Sequence, residues 1–129
     1  RPHLTEAQVK KLIRMREEST DAVMNRYLDF FLFQTFTGMA YSDAKSFDYE
    51  KHIVTIDGKD YIDGHRIKTG NEFVTPVLPI TRKILERNNY KMEITSNQKY
   101  NQFLKGIGLA LGCSFPLTTH CLSHSKIFY

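Results

Sequence analysis

The pattern of apolar and polar positions divides the chain into three parts. Val9, Leu12 and Ile13 fall on one face at helical spacing, with Lys10, Lys11 and Arg14 directed elsewhere. Thr5-x-x-Gln8 ahead of them reads as a capping box and sets the start of the first helix at Thr5. Asp21 is placed to cap a second helix that runs to about Thr37. Phe30, Phe31, Phe33 and Phe36 surround that helix with apolar surface, so it is predicted to be the central buried helix, ended by Gly38. A short helix is predicted over 41–47, with Ser42 or Asp43 near its start. From His52 to Ile56 the texture becomes short and β-branched, and Asp57-Gly58 is a hairpin turn signal. The second strand is expected over 59–68. Thr69-Gly70-Asn71 forms the next turn, and a third strand runs over 72–78. Pro76 marks that third strand as an edge or as one that ends early. Helical spacing then returns: a short helix through Ile80, Ile84 and Leu85 is stopped by Asn88-Asn89. A longer helix capped by Asn97 carries Tyr100, Phe103, Leu104, Ile107 and Leu111 on one stripe, with Gly112 at its stop. Pro116 breaks the chain, and Thr118 or Thr119 caps a last helix.

The predicted fold class is therefore mainly α with a small three-stranded antiparallel β-sheet, an α+β domain. One domain spans 1–129, with helices over 4–47, the sheet over 52–78 and helices over 79–129. The length of 129 residues suits one domain, and neither repeats nor low-complexity stretches interrupt it. Nine Phe and seven Tyr supply a sizeable aromatic core. The formal net charge of +4 leans toward a polyanion partner, but weakly. No apolar run approaches the roughly 18 residues of a membrane span, because Asp29 and Gln34 interrupt the most apolar stretch, Tyr27 to Phe36. Two cysteines, Cys113 and Cys121, are too few for a secreted disulfide framework, which points to a reducing cytoplasm. The chain opens on Arg1 without a Met and ends at Tyr129 within a predicted helix, so it is expected to be a piece of a longer protein.

Three segments carry candidate chemistry: Thr37-Gly38-Met39-Ala40-Tyr41-Ser42-Asp43, then Arg66-Ile67-Lys68-Thr69-Gly70, then Leu117-Thr118-Thr119-His120-Cys121-Leu122-Ser123-His124. In order, spacing and underlying element they resemble the catalytic domain of tyrosine-type site-specific DNA recombinases, the integrases of phages and mobile elements. The resemblance covers nearly the whole chain. It implies duplex DNA as partner, a bacterial cytoplasmic, nucleoid-associated location, and no metal or nucleotide cofactor. It also implies a preceding core-binding domain, a following segment that carries the nucleophilic tyrosine, and other integrase protomers as further partners. In that family a tyrosine attacks a phosphodiester, and two arginines clamp the nonbridging oxygens through charge-assisted hydrogen bonds. A hairpin lysine protonates the leaving oxygen and a histidine assists proton transfer. Lys68 stands at the position of the hairpin lysine and His120 at that of the histidine. Asp43 matches the acidic residue that supports the cluster, and His124 follows the second arginine position.

The departures from the family pattern are large. Ala40 and Ser123 occupy the two arginine positions, and neither offers a charged fork. Loss of one preorganised donor costs about a hundred- to a thousandfold in rate, so loss of two leaves little. Tyr129 lies only nine positions beyond His120, on the same helix, where the family has an ordinary core residue. This chain is accordingly expected to be catalytically inactive. Arg66 and Lys68 are two apart on a strand and share a face, so Arg66 is a candidate substitute cation. Arg66→Ala is then expected to weaken DNA binding more than a change at Lys10.

Plainer readings stand beside these. Lys68 and Arg66 also suit solvated surface positions, and His120 suits a helix start satisfied by backbone groups. His120 and His124 are four apart, but no Glu completes a His-Glu-x-x-His motif and only Cys113 or Cys121 offers a third ligand, so a metal site is not expected. The phenylalanines of the second helix read as core. Lys10, Lys11, Arg14 and Arg16 read as one solvated helix face. Two other functions remain open: a degenerate, non-catalytic DNA-binding relative, and a helical interaction module with no nucleic-acid role.

Overall fold

The computed structural model describes residues 4–63, 74–94 and 96–113. The elements run α1 (Glu6–Glu18), α2 (Ala22–Thr37), α3 (Tyr41–Lys45), α4 (Tyr49–His52), β1 (Ile53–Ile56), β2 (Lys59–Asp63), β3 (Val74–Pro76), α5 (Pro79–Arg87) and α6 (Asn97–Ala110). The described chain is thus mainly helical with a three-stranded antiparallel sheet of order β1-β2-β3.

Local signals set most of the boundaries. The Thr5 hydroxyl accepts from the Gln8 N–H while the Gln8 side chain accepts from the Thr5 N–H, a complete capping box. The Asp21 carboxylate accepts from the N–H groups of Val23 and Met24 and starts α2. Gly38 ends it in the left-handed region at φ 73°. Asp57 and Gly58 both have positive φ, 51° and 77°, as a type I′ hairpin turn requires. They join β1 to β2 with Ile56 opposite Lys59 and Ile53 opposite Ile62. β3 lies at a sheet edge, which accommodates the missing N–H of Pro76.

Ten consecutive residues of α2, Leu28 to Thr37, are buried. Against them pack α1, with Val9 and Leu12 buried, α5, with Ile84 and Leu85 buried, and α6 through Tyr100; Leu104 belongs to the same buried cluster. The Tyr100 ring meets Phe30 edge-on at 5.0 Å. Each fully buried Phe or Leu contributes about 1.5–3 kcal/mol relative to exposure. This aromatic centre therefore dominates the favourable side of folding.

Several boundaries differ from expectation. The helix predicted over 41–47 stops at Lys45, and Phe47 turns into the core beside Phe33 at 5.2 Å. A separate turn of helix, α4, follows it. There Asp48 caps the N–H groups of Glu50 and Lys51, and the Asp48 N–H donates to His52 Nδ1 at 2.8 Å. The first strand consequently begins at Ile53 rather than His52, and the third ends at Pro76 rather than at Leu78, while its expected first residues, 72 and 73, lie outside the described residues. Ser96, not Asn97, caps α6, because its hydroxyl accepts from the Lys99 N–H. Arg16 leaves the solvated face assigned to it. It turns inward to the buried carboxylate of Asp29, with Nε 2.9 Å from Oδ1. The expected continuation of the second strand to residue 68 and the helix from Thr118 lie outside the described residues.

Candidate nucleic-acid interface

The segment Thr37–Asp43, the first of the three singled out, is a turn between α2 and α3 whose main chain is held from beneath. The Gly38 N–H donates to the Gln34 carbonyl at 2.8 Å, and the Met39 N–H donates to the Thr37 hydroxyl at 3.3 Å. That hydroxyl in turn donates to the Phe33 carbonyl at 2.7 Å. The fully buried amide of Gln34 spans the turn. Its Nε2 donates to the Met39 carbonyl at 3.2 Å, and its Oε1 accepts from the Tyr100 hydroxyl of α6. Burial pushes the Tyr100 hydroxyl well above the ordinary tyrosine range, with Tyr41 adding to the effect, so it stays protonated and donating. Met39 is buried, whereas Gly38 and Ala40 on either side are exposed.

Ala40 is the residue before the first turn of α3, with φ −65° and ψ 161°. It has no side chain with which to cap that turn; its carbonyl accepts from the Ala44 N–H at 2.9 Å. Asp43 lies in the first turn of α3 and is buried. The sheet reaches the same place, since the Thr75 hydroxyl of β3 approaches the Thr37 carbonyl at 3.5 Å. The described structure therefore places Ala40 and Asp43 where α2 passes into α3, and sets β3 against the Thr37 end of that segment. Arg66, Lys68, His120, Ser123 and His124 lie outside the described residues, as do Cys121 and Tyr129.

Of the basic residues assigned to α1, Lys10, Lys11 and Arg14 are exposed. Lys10 pairs with Glu6 one turn earlier at 3.5 Å. Lys11 Nζ donates to the Ala110 carbonyl at 2.7 Å and ties α1 to the end of α6. Two polar clusters escaped the sequence reading. Asp29, 2% exposed, accepts from Arg16, from Arg87 at 2.6 Å and from Asn88 at 3.0 Å. Asp60 of β2 accepts from Thr55 at 2.7 Å and from Arg82 of α5 at 2.5 Å, and Arg82 also donates to the Tyr49 hydroxyl. The Thr55 hydroxyl chiefly holds the Asp60 carboxyl below the usual aspartate value; burial, next in size, opposes it, and the Arg82 guanidinium and the Tyr49 hydroxyl add to the lowering. Arg82 is raised above the ordinary arginine value, chiefly by Tyr49. Both clusters tie elements together. Their one signal in the sequence was a lone Asp inside an apolar run, at position 29.

Among the described residues no group of three or more His, Cys, Asp or Glu is arranged to hold a metal ion, and no helix is long and apolar enough to cross a membrane. No protein-family model matches the chain, and no curated protein matches it significantly.

Proposed function

We propose that this chain is the DNA-facing part of a tyrosine-recombinase-type catalytic domain that has kept the phosphate-side scaffold and lost phosphotyrosyl transfer. One observation carries the reading: the Thr37–Asp43 turn is clamped from the core, presents residue 40 outward and abuts the edge of the sheet. An anionic transition state needs cations held in a fixed frame, because stabilisation comes from donors that do not reorganise during reaction. A turn fastened by Gln34, Thr37 and Tyr100 is such a frame. With Ala40 in the first arginine position the frame carries no cation there, so the chain is catalytically silent. Its remaining role is to contact duplex DNA through the backbone phosphates, in the bacterial cytoplasm and in company with partner domains or protomers.

Restoring the missing group is the test. Ala40 is exposed, so Ala40→Arg should fold. Fluorescence anisotropy with a labelled duplex should show Ala40→Arg binding about tenfold tighter than the parent, the size of one charge-assisted hydrogen bond. Adding Ser123→Arg should tighten it again. Gln98→Arg, an exposed control on α6, should gain less. Equal gains at positions 40 and 98 would mean that only net charge matters, and the reading would fall.

A further inference from the structure

Away from the Ala40 turn, the N-terminal halves of α2 and α6 enclose an open cleft of about 600 Å³. Tyr27 and Phe103 line it, with rings stacked at 5.2 Å and 27° between planes. Tyr100 lies next to both, at 6.2 Å from Tyr27 and 6.5 Å from Phe103, and anchors the pair to the core. Val23, 66% exposed, adds an apolar edge. Arg26 and Lys99 stand at the exposed lip, one from each helix, and neither forms an ion pair among the described residues. No carboxylate is among the described lining residues, and the other polar groups there are the Gln102 amide and the Tyr27 hydroxyl.

We infer that this cleft is a binding site for a planar ring bearing an anionic group. Its volume falls in the range of small-molecule sites, about 300–1,000 Å³. An aromatic floor favours a flat partner, because every planar ring has a π-face that stacks on it. Two cations without a counter-charge favour an anion, and the apolar edge at Val23 disfavours a bare one such as phosphate. Two sources share that chemistry: a nucleotide, free or within a single strand, and an aromatic organic acid. None of the cleft's lining residues belongs to the Ala40 turn, although Tyr100 supports both from the core, and the site stands apart from the recombinase reading.

The test is a fluorescence titration of the chain with anilinonaphthalene sulfonate, a ring system carrying one anionic group. One saturable site is expected, displaced by adenosine monophosphate or by naphthoate. Displacement by the nucleotide and by short single-stranded oligothymidylate identifies a nucleotide source; displacement by naphthoate alone identifies an organic acid. Either supports the site. Arg26→Glu with Lys99→Glu should weaken binding about tenfold or more, and Val23→Asp should weaken it as well. All three positions are exposed, so the melting temperature should hold. Lys10→Glu with Lys83→Glu, the same charge change elsewhere, should leave binding as it was. Absence of a saturable site, or equal losses in the two double variants, overturns the inference.

Discussion

Asp29 is the residue on which the helical core turns. It sits inside the most apolar stretch of the chain, yet it is 2% exposed and holds two arginines and an asparagine. A buried carboxylate survives folding only when its desolvation is offset by partners, and removing it strands them. Asp29→Ala should therefore cost about 3 kcal/mol in urea unfolding, the low end for a broken buried pair because both arginines reach solvent. Asp29→Asn, which keeps an acceptor, should cost less; equal losses would show that the charge is irrelevant. Gln34 poses the same problem without charge. Tyr100→Phe removes the donor to its amide oxygen and should cost about 1–2 kcal/mol, the usual penalty for a stranded buried acceptor. A loss under about 0.5 kcal/mol would mean that this hydrogen bond does not fasten the turn. Neither network was legible in the sequence, where Asp29 and Gln34 look like interruptions of an apolar run. Their partners lie up to 59 and 66 residues away, and local pattern does not report contacts at that separation.

Helices and hairpins were legible where their ends are made by residues close in sequence. Thr5 with Gln8, Asp21, Gly38 and Asp57-Gly58 each act within a few positions, and each terminates the expected element. The same logic explains a miss. Asp48 is an N-cap like Asp21, but one turn of helix leaves no periodicity to notice, and α4 was absorbed into its surroundings. The hairpin offers a clean element-scale test. Gly58 has φ 77° with open space around a substituted Cβ, so Gly58→Ala meets only the backbone penalty. It should destabilise by about 1–2 kcal/mol, the cost of left-handed backbone for an L-residue. A neutral outcome in thermal unfolding would contradict the type I′ assignment.

At the scale of the whole molecule, a helical core carries a small sheet whose edge meets the turn that presents Ala40. The sequence predicted the α+β class and the antiparallel sheet. Of the candidate residues, Ala40 and Asp43 lie where α2 passes into α3, whereas Arg66, Lys68, His120, Ser123 and His124 lie outside the described residues. A clamped turn without its cation should still touch phosphates while catalysing nothing. The most direct measurement is fluorescence anisotropy of the chain with a labelled duplex across a salt series. The account predicts dissociation constants of about 10⁻⁴ to 10⁻⁶ M near physiological salt, tightening steeply as salt falls, with no covalent protein–DNA adduct. Absence of binding even at low salt, or a covalent adduct formed by the unaltered chain, would contradict it.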